Sequence, residues 1–317
     1  MRVQIYKEHG VRKKIITINW PGRLHKETIT AWLFSMPALL LLLLFLVVPF
    51  FMAVYLSLTN QRLLPGPLPV AFIGFRNYVR LLQDDTFLRA LLNNFVFVLV
   101  VVPVQTGLAL LMALLVHQKL PGVKLFRTIY FSPVVTPMVV VAIVWSFLYN
   151  PGQGLINAFL HTISFGYLGP YQWLDSPVLA LPAIIILSVW QGAGFQMVIY
   201  LAGLQGISET LYEAAHIDGA SAWQRFLYIT LPQLRNITIF VVVSTTILAF
   251  KLYTQVAVLT QGGPEDATMT TVFYLVNQGY SLLQVGYASA ISVIFFLIIL
   301  VFSILQRFVV REEREVV

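Results

Sequence analysis

Six apolar stretches, each long enough to cross a lipid bilayer, constrain this chain more than anything else in it. A hydrocarbon core about 30 Å thick needs about 20 mostly apolar residues of helix. Residues 31–58, 91–116, 128–149, 178–204, 237–258 and 288–308 meet that length, and the run LLLLLLFLVV lies at the heart of the first. Inside a bilayer every backbone N–H and C=O must be satisfied within the protein, which points to helices. Composition agrees: 58% of the 317 residues are hydrophobic and only 10% are charged, against about a quarter in soluble domains. The expected fold is therefore an all-α membrane protein with six transmembrane helices over 31–309, flanked by tails at 1–30 and 310–317. A shorter apolar stretch around Phe273 is interrupted by polar residues and reads as a surface helix or loop. The first run follows a long basic stretch and exceeds the length of a signal-peptide apolar region, so it reads as a retained span.

The basic residues give the expected orientation. Residues 1–30 carry seven Lys and Arg, 117–127 three, 205–236 two and the segment after Phe302 three, fifteen of the twenty. The opposite loops hold Arg62, Arg76, Arg80 and Arg89, and Lys251 lies within the fifth span. Cytoplasmic loops are enriched in Lys and Arg, so both termini are expected in the cytoplasm. The same rule accounts for the net charge of +7. Nucleic-acid binding is excluded, because the basic residues are scattered among loops with no reading motif.

Enzymatic readings fail on inventory. The chain has no cysteine. Its five histidines, at 9, 25, 117, 161 and 216, are dispersed in tails and loops, and every acidic residue lies outside the spans. An ion-driven transporter would want carboxylates within the membrane. No loop is long enough to fold alone, and no GxxxxGK(S/T) phosphate loop is present. The expectation is a non-catalytic chain that binds no cofactor, with any ATP hydrolysis supplied by a separate subunit.

The most informative stretch is residues 205–236. It is polar for this chain, yet Leu211, Ala214, Ala215 and Asp218 recur at helical spacing before Gly219 breaks the run. Ser221 suits the cap of a second helix carrying Trp223, Phe226 and Leu227, and Pro232 is expected to hold Leu231 extended. Two short helices along the membrane face are the result. Here Glu213, Ala214, Ala215, three residues, Gly219, nine residues, then Ile229, one residue, Leu231 and Pro232 resemble the EAA loop of importer permeases of the ATP-binding-cassette class.

Four further segments resemble the sugar-type branch of that class, related to the maltose and glycerol-phosphate importers, and specifically the first of its two paired permeases. They are Phe72 to Tyr78, Asn150-Pro151 with Gly154, Ile156 and Asn157, Trp190 to Leu204, and Leu259 to Pro264. The maltose-type member has two extra N-terminal spans and a large outer domain without counterparts here.

The resemblance implies a type I permease fold and an import function for a sugar-like solute. It implies four partners besides membrane lipid: a second homologous permease, two copies of an ATPase that binds ATP and Mg, and an extracytoplasmic solute-binding protein. It also implies that Glu213, Ala214, Ala215, Asp218, Gly219, Ile229, Leu231 and Pro232 seat in a cleft of the ATPase. Cargo-contacting places of the family fall on Ser188, Gln191, Gly192 and Phe195, and on Thr245, Ala249 and Leu252. A permease for a non-sugar solute such as a polyamine or phosphonate fits the EAA loop equally well.

Two readings of the intramembrane polar residues stay open. Lys251 lines a water-filled path or a partner, or it snorkels to the outer surface. Ser188, Gln191, Gln196, Gln105, Thr245 and Thr246 contact cargo or hold helices together. The fragment WQGAGF, from Trp190 to Phe195, has two glycines and reads as a broken helix, the kind of place where transporters bind solute.

Overall fold

The structure, a computed structural model, describes residues 2–8, 11–17, 21–65, 69–118 and 121–309. The expected tail at 310–317 lies outside them. The chain divides into two compact units, Met1–Tyr55 and Leu56–Val317.

The first unit holds a two-stranded antiparallel hairpin, Arg2–Glu8 with Val11–Thr17, followed by the helix Pro21–Leu42. The stretch expected as a plain tail thus already contains the first ten residues of a helix. A π turn, Leu43–Val47, precedes the helix Val48–Ser57. The N–H of Val48 reaches back to the Leu43 carbonyl. The wider turn falls immediately before Pro49, which has no N–H to continue a regular ladder.

The second unit carries the remaining spans. The second-span helix, Asp85–His117, begins six residues before the expected start because Asp84 caps it, its carboxylate accepting the Phe87 N–H at 3.1 Å. The fourth and sixth are Ala180–Gln205 and Val285–Val309. Among the described residues, five helices are long and apolar enough to cross a membrane, the first of them included, and the count is six if a bent pair is taken as one span.

That pair corrects the expected straight third span. Val123–Val135 and Met138–Leu148 meet at 101°. Pro137 pushes Thr136 into an extended conformation, ψ 130°, and cannot donate to the ladder itself.

Three other expectations are corrected. The fourth span is unbroken through Trp190 to Phe195, so its glycines serve another purpose, taken up below. The interruption falls in the fifth span instead, between Arg235–Phe250 and Thr254–Leu259, with Lys251 as its first residue. The stretch around Phe273 is no surface helix: Thr271–Val276 packs inward, and Thr268, Thr270 and Thr271 have no solvent exposure.

Three core layers follow one another along the second span. Near Asp85, Leu81, Phe87 and Ala90 pack with Tyr274, Tyr287 and Ile291. In the middle, Phe97, Val98 and Val101 meet Ile184, Phe250, Val256 and Phe295. Near His117, Ala109 and Ala113 meet Met197, Tyr200, Leu234 and Val241. Lipid tails are as apolar as these side chains, so close fit rather than transfer from water holds such layers together, and small residues at the contacts allow it.

Candidate functional site

The 205–236 loop builds its geometry from local chemistry. Its first helix, Glu209–Ile217, ends where the Ala220 N–H reaches the Ala215 carbonyl at 2.9 Å and the Gly219 N–H reaches the His216 carbonyl at 3.1 Å. That pair of bonds is a Schellman stop, and it needs a left-handed residue after the cap. Gly219 supplies it with φ +77°. A Cβ added there would meet nothing within 4 Å, so the glycine is required by backbone conformation and not by crowding.

Ser221 then opens the helix Ala222–Arg225 with a reciprocal capping box. Its Oγ accepts the Gln224 N–H at 3.3 Å, and its own N–H donates to Gln224 Oε1 at 2.7 Å. Leu231 is helical here, φ −63° and ψ −45°, contrary to the extended conformation expected before Pro232. A π turn over Phe226–Thr230 absorbs the proline, with the Leu231 N–H bonding five residues back to Phe226.

The first helix is pinned to the π turn by the hydroxyls of Tyr212 and Thr230, 2.9 Å apart. That contact had no signature in the sequence. Glu213, Ala214 and Asp218 are exposed, as are Leu231 and Pro232, while Ala215 and Ile229 are half-buried. Ile217 is 85% exposed, Trp223 66% and Tyr228 76%. Exposed large apolar side chains such as these mark a candidate contact surface. A cleft of about 520 Å³ lies beside it, lined by Glu209, Glu213 and His216 together with His117 and Arg225.

The residues that the resemblance links to cargo sit in several environments. Ser188 is buried, donating to the Ile184 carbonyl at 2.7 Å and accepting from Gln255 Nε2 at 3.4 Å. Thr245 is buried too, bonded to the Val241 carbonyl at 2.6 Å and to Gln196. Ala249 and Leu252 belong to the middle core layer. Gln191 is half-buried and donates to the Pro133 carbonyl at 3.5 Å, Gly192 faces Gln105, and Phe195 is 50% exposed. Lys251 is exposed at the fifth-span break.

That break is held from a distance. Asn94 Nδ2 donates to the Phe250 carbonyl at 3.2 Å, and Asn94 Oδ1 accepts the Thr271 N–H at 2.7 Å. The Leu252 carbonyl accepts from Thr270 Oγ1 at 2.9 Å. Backbone groups freed within a membrane need partners, and these side chains provide them. Neighbouring Asn93 likewise donates to the carbonyls of Asp266 and Met269, each at 2.9 Å.

At the start of the second span, Asp84 accepts the hydroxyls of Tyr274, at 2.5 Å, and Tyr287. Burial alone would push this carboxyl up, but the two tyrosines and the backbone N–H groups of Phe87 and Thr86 outweigh it and hold it below its ordinary 3.8. A carboxylate whose folded-state value is depressed contributes stability that is present above the unfolded value and lost as pH falls through the folded one. Asp84→Asn is therefore expected to lose about 1–2 kcal/mol at pH 7, after discounting for its partial solvent exposure. The difference from the native chain should shrink below about pH 4. Thermal unfolding of the detergent-solubilised protein across pH measures both; a gap that stays constant with pH removes the charge from the explanation.

Comparison with known proteins fits this architecture. Residues 82–315 match the family model described as "Binding-protein-dependent transport system inner membrane component". The trehalose/maltose transport system permease protein MalF of Thermococcus litoralis is 35% identical over 92% of this chain and 97% of its own length. The lactose transport system permease protein LacF of Rhizobium radiobacter is 34% identical over 90% and 95%. Among solved structures, a bacterial ABC transporter for import of the acidic polysaccharide alginate includes a chain that superposes with a TM-score of 0.78. At 24% identity, over 92% of this chain and all of that one, it shows the shared fold. A helical, multi-span architecture and a family match across most of its length together make this chain a member of the binding-protein-dependent transport system inner membrane components.

Proposed function

We propose that this chain is a transmembrane permease subunit of an ATP-driven, binding-protein-dependent importer of a sugar or sugar-like solute, such as an oligosaccharide, glycoside or glycerol phosphate. It forms half of the translocation path and lies in the cytoplasmic membrane of a bacterium or archaeon, with both termini in the cytoplasm. The observation that carries the coupling role is the 205–236 loop: a glycine-terminated helix with open Ile217 beside Glu213, tied through Tyr212 to Thr230 in the π turn that leads toward the fifth span. A push on the first helix is passed to the span through that pin. Transport of trehalose/maltose and of lactose by the two relatives named above supports a sugar cargo.

One such loop per chain implies a second, homologous permease to complete a pseudo-twofold path. Two ATPase subunits, which bind ATP and Mg, would engage the two loops. An extracytoplasmic binding protein delivers the solute. The direct test is co-purification of the four-part membrane complex, followed by ATP hydrolysis with and without solute-loaded binding protein. A stable homodimer that transports cargo with the ATPase alone overturns the heteromeric assembly. Reporter fusions after residues 25, 65, 122, 165, 215, 270 and 314 are expected to alternate in, out, in, out, in, out, in, where the first and every second position thereafter is cytoplasmic. A cytoplasmic signal at 165 rejects the third crossing.

For the path, Gln191, Gly192 and Phe195 remain the residues of choice, since Phe195 is open and Gln191 is only half-buried. Ser188, Thr245, Ala249, Lys251 and Leu252 complete the proposed set. Gln191→Ala and Phe195→Ala are expected to lower solute uptake by about tenfold, the scale of one lost polar or stacking contact, while the complex still assembles. Uptake at the native rate in both variants removes them from the path.

A further inference from the structure

The segment between the third and fourth spans, residues 149–179, holds an amphipathic element that the transport role leaves unused. It starts where the helix Met138–Leu148 ends. Asn150 Oδ1 accepts the N–H groups of Gly152 and Gln153 at 3.0 and 2.9 Å, and the Gly154 N–H returns to the Asn150 carbonyl at 3.0 Å. This tight turn launches the helix Leu155–Ile163 directly from the end of the span. Tyr149 ties the same point to the fourth span, its hydroxyl donating to the Ala183 carbonyl at 2.8 Å. Ala183 and Gln205 lie near opposite ends of Ala180–Gln205, roughly 33 Å apart at about 1.5 Å per residue. Leu155–Ile163 therefore belongs to the membrane face away from the 205–236 loop.

The helix has three sides. One faces the protein: Asn157 is buried, its Nδ2 donates to the Tyr171 carbonyl at 2.9 Å, and its Oδ1 accepts the Tyr171 N–H at 3.1 Å and the Trp173 indole N–H at 3.0 Å. Ile156 and Leu160 are half-buried beside it. A second side is polar and carries exposed His161. On the third, Leu155, Phe159 and Ile163 recur every fourth residue and so form one stripe. Each of the three is more than half exposed. Just past the helix, Phe165 adopts φ +52°, a conformation usually left to glycine, and is 92% exposed; Tyr167 is similarly open.

Lipid is the cover that fits this stripe. The Asn157 hydrogen bonds fix the rotation of the helix, so the stripe points outward. Its exposure continues that of Ile143 and Phe147 on the span leading to it. The rings of Tyr149 and Tyr171 each lie 5.6 Å from that of Trp173, whose indole holds Asn157. Trp and Tyr gather where hydrocarbon meets water, which sets the helix at that depth. Residues 149–179 hold no Lys or Arg and a single acid, Asp175. A docking surface for a soluble protein has a polar rim, whereas a neutral apolar stripe gains most from a bilayer.

We propose that Leu155–Ile163 is an interfacial helix that seats Leu155, Phe159 and Ile163 in the lipid of the membrane face away from the 205–236 loop, the outer leaflet in the topology above. Phe165 and Tyr167 extend the seat. The connection between the third and fourth spans is then held at headgroup depth, with hydrocarbon under the stripe and His161 toward water.

The test uses spin labels on single-cysteine variants, which the chain suits because it has no cysteine of its own. Leu155→Cys, Phe159→Cys, Ile163→Cys and His161→Cys are each labelled in the complex with which the chain purifies and reconstituted in phosphatidylcholine vesicles. The native complex, treated alike, supplies the background from its partners. Oxygen concentrates in hydrocarbon, and a nickel chelate stays in water. The ratio of collisions with oxygen to collisions with the chelate is expected to be about threefold or more higher at 155, 159 and 163 than at 161, as for an apolar face sunk about 5–10 Å into the boundary of headgroups and acyl chains. The same ratio at all four positions puts the stripe in water and overturns the proposal. So does low collision with both reagents at the three stripe positions, which assigns the stripe to a protein partner. Each position is a separate variant, so one that fails to assemble leaves the others to decide. No transport is measured, so the importer reading stands or falls by its own test.

Discussion

Tryptophan at Ala215, valine at Gly219 or lysine at Glu213 is expected to leave the chain inserted in the membrane and to abolish solute-stimulated ATP hydrolysis. None of the three lies within a membrane-crossing helix. Ala215 is half-buried beside the Schellman stop, and packed interfaces tolerate added volume poorly, typically at about 1–3 kcal/mol. Gly219 has φ +77° with open space around it. Alanine there costs only the left-handed backbone, roughly 1–2 kcal/mol, whereas a β-branched side chain makes that conformation a severe outlier. Lysine at Glu213 reverses the charge of an exposed carboxylate that borders the cleft shared with His216 and Arg225. The graded order follows: Gly219→Ala retains partial stimulation, and Gly219→Val loses it. The measurement is ATPase recovery on co-purification, then hydrolysis with and without loaded binding protein. Normal recovery and normal stimulation in all three severe variants would remove the loop from the coupling mechanism.

The second large effect is expected from Gly194, and it contrasts with its neighbour Gly192. A Cβ built on Gly194 would sit 2.1 Å from the Tyr130 carbonyl oxygen and 3.3 Å from the Cα of Phe131. Both are backbone atoms of the bent third span, so relief requires moving the helix Val123–Val135 away from the fourth span. A Cβ on Gly192 would sit 2.4 Å from Gln105 Nε2, the far end of a side chain that can swing aside. Gly194→Ala is therefore expected to destabilise by about 1–3 kcal/mol and Gly194→Val to prevent recovery of folded protein, while Gly192→Ala costs less than about 1 kcal/mol. Thermal unfolding in detergent, with size-exclusion profiles before heating, measures the order. Equal loss in the two alanine variants would contradict the backbone contact as the cause.

These glycines mark the boundary between what could and could not be read from residues in order. The spans were legible because a bilayer imposes a length of apolar helix that any stretch of sequence either meets or fails. The 205–236 loop was legible because its features are local: a Schellman stop at Gly219 and a capping box between Ser221 and Gln224 involve residues within a few positions of one another. Even there, Leu231 before Pro232 took a helical conformation, since a π turn upstream absorbed the missing donor.

Two glycines within WQGAGF look the same in sequence whether they break a helix or admit a neighbour. Tertiary packing against Tyr130 and Gln105 decided for the neighbour, and the fourth span runs on unbroken. The break went to the fifth span because partners for its freed carbonyls arrive from elsewhere, Asn94 from 156 positions away and Thr270 from 18. Asp84 likewise meets Tyr274 and Tyr287 only after the chain has turned back over about 200 residues. By itself, the sequence determined where the apolar spans lie and the local form of the 205–236 loop, because hydropathy and turn chemistry act over one span or one turn. Only the tertiary structure decided which helix breaks and which glycines are contacts, because each depends on groups brought together from distant parts of the chain.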